Sequence, residues 1–393
     1  MTERGVAAVV TPRVPANAAM LIWARDRLGM TTEEAAHAIN ISEARLQTWE
    51  TPGRKAPKDY PTLAQLRTVA AKYRQTLAFF LLEEPPAVED ATRPPDFRRR
   101  RPDDRLPLRV LAELDKAAER RAVFVDLADP EPADLPYSPL SDLQSATTVL
   151  RDRLGVTLRD QLGWKRQHAF RNWVEHLEHV GVLVFQMSRV EPDDTQGFSL
   201  YYPQAPVVVL NGADSPETRT FTLFHELAHL LTRSGGVCQT SRHNKIEQRC
   251  NEFAAEFLMP QADFVRAVHS GDKVAQIPDL ANRYRVSQSA IAVRLRTLDY
   301  INQDTLDDLL ETAAEYARRH REEVRERGRA TKGGPPHHLT QLRNLGARYV
   351  YTVLDAVEDQ RISPVDASYF LDSKWSTIRG METDLLDRRA ADA

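Results

Sequence analysis

Two histidines four residues apart with a glutamate beside the first, His225-Glu226-Leu227-Ala228-His229, are the residues of this chain best suited by type and spacing to do chemistry. On an α-helix, positions i and i+4 share one face about one turn apart, so both imidazoles reach a single ion. Zinc suits neutral imidazole, and three protein ligands leave a coordination position open for water. Glu226 is then placed to take a proton from that water. The expected chemistry is metal-assisted hydrolysis with Zn2+ as cofactor. The five-residue pattern also arises by chance in buried helices, so its surroundings matter. Phe221, Leu223, Phe224, Leu227, Ala228, Leu230 and Leu231 would bury this helix, a strand region precedes it, and a second helix bearing carboxylates follows.

The third ligand has to come from outside the first helix. A metzincin would need histidine at 235, and this chain has Gly235. His243 lies in the polar stretch 239–244, and Glu247, Glu252 and Glu256 lie on the helical segment Lys245–Leu258. Periodicity does not choose among them. Cys238 sits between the two segments. A plain loop cysteine is the expectation there, with zinc ligation or oxidant sensing as the sharper alternative.

The elements that must position these residues follow from the pattern. Val182–Phe185, Phe198–Tyr202 and Val207–Leu210 read as short apolar strands. Phe170–His179, Phe221–Leu231 and Lys245–Leu258 read as helices, the last stopped by Pro260. Helical periodicity also covers Leu108–Leu154, apart from a Pro-rich loop near Pro130–Pro139, and helices continue to about Arg327. Gly328–Pro336 reads as a linker and Leu342–Leu386 as a last helical stretch.

Residues 17–83 read as five short helices: Asn17–Leu28 closed by Gly29, a second capped by Thr31 or Thr32, a third from Ser42 to Glu50, then Thr62–Tyr73 and Thr76–Leu82. Thr31 and Glu34 have the spacing of a capping box. Glu83–Pro107, rich in proline and charge around Arg98–Arg101, is expected to act as a semi-extended tether.

At 393 residues the chain is long enough for two or three domains. Its 42% hydrophobic and 28% charged residues are those of a soluble globular protein. No apolar run approaches the roughly 18 residues a membrane span requires, and Met1–Val14 lacks the apolar core of a secretion signal. Two cysteines are too few for a disulfide framework, so a cytoplasmic location is expected. The net charge of −3 hides an asymmetry: residues 13–82 hold ten Lys/Arg against six Asp/Glu, a balance of +4. A local positive balance on a small domain is a weak footprint of nucleic acid binding.

Met30–Ile39 followed by Ser42–Glu50 resembles the repressor-like helix-turn-helix of the XRE family. Ala35 and Ala36 allow close helix approach, and Ile39, Ile41, Leu46 and Trp49 supply a small core. The resemblance implies duplex DNA as a partner, with Thr32, Ser42, Arg45, Gln47 and Thr48 toward base edges and Arg54, Lys55 and Lys58 toward phosphates. Glu43 and Glu50 lower the positive field locally, and a protein-binding module is the alternative. Ile277–Leu298 and Ile362–Glu382 are weaker echoes of the same hairpin.

Phe221-Thr-Leu-Phe-His-Glu-Leu-Ala-His229, Glu247-Gln-Arg-Cys-Asn-Glu-Phe-Ala254 and Leu258-Met-Pro260 resemble the ImmA/IrrE family of zinc metallopeptidases. That family's second helix carries a Glu-x-x-Ala-Asn-x-Phe-Ala pattern whose first glutamate is a zinc ligand, which implies Glu247 here. Cys250 departs from the family's alanine, and a small buried residue serves equally. Gly197–Leu200 and Val207–Asn211 resemble the family's strands, and in zincins an edge strand pairs with an extended substrate. Leu280–Ser287 and Ala290–Leu298 resemble the helical unit that follows the family's catalytic core.

The fold class expected is mainly α with a small β-sheet. It comprises a five-helix repressor-like domain over 13–83, a linker over 84–107, and an α+β zincin-like peptidase domain with helical extension over 108–300. A helix and linker over 301–336 and a small helical unit over 337–393 complete it. The resemblance implies a gluzincin-like endopeptidase that cleaves one protein partner, a repressor, in mobile-element control or stress responses. No membrane is expected, and a homodimer is allowed. The alternative is a DNA-binding regulator or antitoxin-like protein that uses the zincin fold as a sensor without turnover.

Overall fold

Side-chain caps set where the N-terminal helices begin. Asn17 accepts from the Ala19 amide and starts α1, Ala18–Arg27. Thr31 and Glu34 form the expected reciprocal capping box at the start of α2, Thr32–Ala38. Helix α3, Glu43–Glu50, follows a turn in which Asn40 takes φ 57°, a left-handed conformation that asparagine tolerates. Ser42 occupies the cap position of α3, but its hydroxyl makes no capping bond.

A 3-10 turn at Pro57–Asp59 leads to α4, Leu63–Tyr73. The expected fifth helix is a 3-10 turn at Ala78–Leu81, where Phe79 and Phe80 enter the core. The backbone becomes extended at Leu82, with φ −64° and ψ 149°, which ends the turn there.

The computed structural model describes residues 12–28, 30–54, 56–73, 75–84, 107–188, 190–233, 245–331 and 336–392. The Gly29 cap, Lys55, Cys238, His243 and nearly all of the expected 84–107 linker lie outside them. The chain forms two compact units, whose described parts are 12–84 with 107–111, and 112–392. No helix among the described residues is long and apolar enough to cross a membrane.

The N-terminal unit is built on Met20, Leu21, Ala24, Ala35, Ala36, Leu46, Trp49, Val69 and Phe80. Glu50 takes a different part from the one expected of a free surface charge. Its carboxylate accepts two bonds from Arg25, at 2.8 and 3.0 Å, and both side chains are largely buried. The pair ties α3 to α1 and cancels the charge of Glu50 locally.

The second unit takes up α5, Leu108–Ala128, from residue 112. Helices α6, Leu143–Leu154, α7, Leu158–Gly163, and α8, Arg166–His179, follow. Strands β1, Leu183–Met187, β2, Gly197–Leu200, and β3, Val207–Asn211, form a sheet of order β1-β3-β2. β1 is parallel to β3, with Val184 opposite Val208, and β2 is antiparallel to it, with Ser199 opposite Val208.

Every strand residue is buried, so both faces are covered and the strands read as apolar runs. Val184, Val208 and Leu210 face Leu223, Phe224 and Leu227 of α9, Pro216–Leu231. Helix α9 starts earlier than its apolar periodicity suggests, because Ser215 caps a polar first turn with Pro216 in the position prolines favour.

Helix α10, Lys245–Leu258, ends just before Pro260, as expected. Helices α11, Gln261–Ala267, α12, Ile277–Tyr284, and α13, Gln288–Thr297, share its core. Ile291 and Leu295 of α13 lie in the core and Arg294 pairs with Glu256, so this echo of a recognition helix is a core element.

Helix α14 runs Gln303–Thr331 and includes residues 328–331, which had read as linker. Good helix formers on both sides carry Gly328 within the helix. The last stretch is four helices: α15, His337–Leu345, α16, Ala347–Glu358, α17, Pro364–Phe370, and α18, Trp375–Asp392. Helices α15 and α16 cover the second face of the sheet. The Phe185 and Tyr349 rings meet at 5.8 Å, and Asn344 donates to the Ser188 hydroxyl at 2.9 Å. Gly346, at φ 74°, makes the join: a Cβ there would lie 2.7 Å from the Val184 carbonyl oxygen.

Candidate metal centre

Helix α9 is buried on all sides from Thr222 to Leu231, so the polar side chains of that run are inside the protein with the apolar ones. His225 and His229 are 8% and 4% exposed, and their ring centroids are 5.1 Å apart. Glu247, in the first turn of α10, reaches both: its Oε2 is 3.2 Å from His225 Nε2, and its Oε1 is 3.5 Å from His229 Nε2. One ligand atom from each of the three residues lies within 4.8 Å of the others, so the group could hold a metal ion.

A fourth residue completes the arrangement, and motif reading had given it no role. Asn251 stands one turn after Glu247 on α10, with its Oδ1 2.8 Å from His225 Nδ1. A ring that donates Nδ1–H to this amide oxygen turns its Nε2 toward Glu247. The i, i+4 spacing of Glu247 and Asn251 on one helix was the available signal.

Electrostatics bind the three together. Burial opposes the charge on Glu247, yet the hydrogen bonds from His225 and His229 outweigh it and bring the carboxylate down to about 2. Burial likewise lowers the His225 pKa, but the Glu247 bond and the Glu226 and Glu247 charges leave it raised overall. The fully buried Cys250 thiol is pushed well up by burial and by those two carboxylates, and so behaves as a small apolar residue.

The other candidate carboxylates are engaged elsewhere. Glu252 pairs with Arg249 at 2.7 Å, and Glu256 pairs with Arg294 and accepts the Gln261 amide at 3.1 Å.

Glu226 differs from all of these. It is 0% exposed, and neither carboxylate oxygen has a hydrogen-bond partner. A buried polar group without partners is costly, so such groups are rare in folded proteins. A cation with its water at the neighbouring donors would relieve that cost, and the residues present fit a metal.

The residues expected at a nucleic-acid interface are less uniform. Ser42 and Gln47 are exposed, Gln47 donating to Glu43 at 3.1 Å, and Thr32 and Thr48 are half-buried. Arg45 donates to the Lys58 carbonyl at 2.7 Å and lies 5.9 Å from the Trp49 ring centroid. Arg54 does not match the expectation of a phosphate contact. Its guanidinium turns inward to the carbonyls of Trp49 and Ala16, and burial lowers its pKa. Short polar loops do not reveal from sequence which arginines fold inward.

No curated protein matches the chain. Residues 177–296, which carry the sheet, α9, α10 and the helices up to α13, match the family model Peptidase_M78, the IrrE N-terminal-like domain. The resemblance to ImmA/IrrE proteins thus has support over this segment, which is metallopeptidase-like.

Proposed function

We propose that the protein is a regulatory zinc metallopeptidase that cleaves one specific partner protein, a transcriptional repressor. The observation that carries this reading is the buried, unpartnered carboxylate of Glu226 beside the converged donors of His225, His229 and Glu247. Those three residues would hold the zinc, with Asn251 orienting His225. When bound, zinc supplies a Lewis acid and lowers the pKa of water to near neutrality.

Glu226 takes up the proton of the attacking water on a carboxylate oxygen and delivers it to the departing amine. The test is Glu226→Gln, which keeps the shape and removes the base. We expect zinc content and fold to be retained and cleavage lost. The same variant used as a trap would capture the partner, and wild-type protein would then cut it at one site. A captured partner that zinc-loaded wild type leaves intact would favour the sensor reading.

In the same reading the N-terminal unit binds duplex DNA, with the exposed Ser42 and Gln47 of the α3 region toward base edges and the exposed Lys58 toward phosphates. Affinity is then expected to fall steeply with salt. Gln47→Ala would relax sequence preference, while Lys58→Ala would weaken all sequences alike. Absence of binding to any promoter fragment would favour the protein-binding alternative.

A further inference from the structure

Away from the metal-binding residues, α17 and α18 repeat the geometry of α2 and α3 position by position. Ser363 and Asp366 form a reciprocal capping box at the start of α17, as Thr31 and Glu34 do for α2, and each of these helices spans 7 residues. The turns that follow are Ile39–Ser42 and Leu371–Lys374, and each holds one left-handed residue, Asn40 at φ 57° and Asp372 at φ 44°. The backbone bonds correspond too. The Ile41 amide donates to the Ala36 carbonyl at 3.0 Å, and the Ser373 amide donates to the Ser368 carbonyl at 3.1 Å. The same positions are buried: Ala35 and Ala367, Ile39 and Leu371, Leu46 and Ile378, Trp49 and Met381. A small residue on the first helix and a left-handed turn residue set the crossing, so α18 stands where a helix-turn-helix carries its recognition helix.

The outer face separates this hairpin from the α12–α13 echo. Aligning the left-handed residues Asn40 and Arg285 puts Ala292 in the place of Gln47, and Ala292 is buried, so core packing closes that face. In α18 the inner side goes to α15, where a Cβ on Gly380 would lie 2.9 Å from the His338 ring. The opposite stripe, Ser376, Arg379 and Thr383, is exposed, with i, i+3 and i+7 spacing on one face. Arg379 takes the place of Gln47. Its side chain is 69% exposed, and its 3.9 Å pair with Glu382 is of the exposed kind that holds little. Lys374, also exposed, takes the place of Ser42. An arginine presented from a recognition helix is the group that grips guanine by O6 and N7. Charge does not set the two hairpins apart in favour of the first. Residues 363–382 hold Lys374 and Arg379 against Asp366, Asp372 and Glu382, while residues 31–50 hold Arg45 against Glu33, Glu34, Glu43 and Glu50. The surrounding residues 337–393 carry seven Lys/Arg against nine Asp/Glu, so general attraction to phosphates is small there. Base-edge contact is what this face offers.

We propose that α17 and α18 form a second element that reads duplex DNA, with Arg379 toward a guanine edge in the major groove and Ser376 and Thr383 beside it. One chain then reads two separate sequence elements, one through α3 and one through α18. Linking two such contacts in one chain raises affinity through effective concentration, so a C-terminal element with little phosphate attraction of its own still adds selectivity. The proposal stands on the residues of α17 and α18 and does not require the N-terminal reading.

The experiment is selection of duplexes from a randomised library by the full chain, followed by sequencing and by titration of the selected duplex at fixed salt. Wild type is expected to enrich two sequence elements, one of them with a fixed G. Arg379→Ala should lose that element, keep the other, and bind the wild-type duplex about 5- to 100-fold more weakly, the scale of one bidentate base contact. Arg379→Lys, which lacks the planar fork, should not restore it. The position is exposed, so both variants should unfold at the wild-type temperature. Enrichment of the same elements by Arg379→Ala at unchanged affinity overturns the proposal and leaves this face to a protein partner. In that outcome an element lost in Gln47→Ala keeps the N-terminal reading intact. A wild type that enriches no duplex overturns both.

Discussion

The side-chain oxygen of Asn251 lies 2.8 Å from Nδ1 of His225, so the helix that brings Glu247 to the two histidines also orients one of them. Partners of this kind hold a metal ligand's tautomer and ring plane. Asn251→Leu is therefore expected to weaken zinc binding by about 10- to 100-fold. Asn251→Asp, which still accepts from Nδ1–H, should bind nearly as tightly as wild type. Competition against a chromophoric chelator measures both, and equal affinity in the leucine variant would remove Asn251 from the site.

Glu247, Glu252 and Glu256 were equivalent by periodicity and are not equivalent in the fold. Glu247→Ala should strip the protein of zinc on dialysis. Glu252→Ala and Glu256→Ala should retain about one zinc per chain, as a three-ligand site implies. Elemental analysis of the three variants settles the ligand: metal loss in either of the latter two with retention in the first would reject Glu247.

Glu178, at the end of α8, lies against the start of α16, with its Oε1 3.1 Å from where a Gly346 Cβ would be. Burial raises its pKa to about 8, partly offset by Arg348. The folded-state value is above the unfolded one of 4.5, so the folded protein holds a proton there that the unfolded chain releases. This contribution to stability is complete below 4.5 and is lost as pH rises toward about 8. The unfolding temperature of wild type should fall over that window relative to Glu178→Gln, which has no carboxyl to titrate there. Parallel profiles would mean that Glu178 is ionised in the fold.

The Arg25–Glu50 pair is buried and bidentate, and without Glu50 the Arg25 guanidinium keeps only Asp26 and the Met30 carbonyl as partners. Glu50→Ala should destabilise the N-terminal unit by about 1.5–3 kcal/mol, the scale of a hydrogen bond to a charged group. Hydrogen exchange would show it as lost protection in α1 and α3, with α9 and α10 unaffected. A loss below about 1 kcal/mol, typical of exposed pairs, would contradict burial.

Much of this protein is local and was readable as such. The spacing of His225 and His229 places two imidazoles on one face of any helix that contains them. The Thr31–Glu34 capping box closes within a single turn, and Pro260 ends α10 because no proline can continue a helix ladder. The three strands are apolar runs because both faces of the sheet are covered. What the tertiary structure alone decided depends on groups far apart in the chain. Glu247 faces the histidines because α10 docks on α9 in one rotation. The same rotation gives Glu256 to Arg294, which is 38 residues away. Arg54 turned from an expected phosphate contact to the carbonyls of Trp49 and Ala16, and α15 and α16 became the second cover of the sheet. Helix periodicity specifies which residues share a face, but the direction in which that face points is set by packing between elements, and no local pattern contains it.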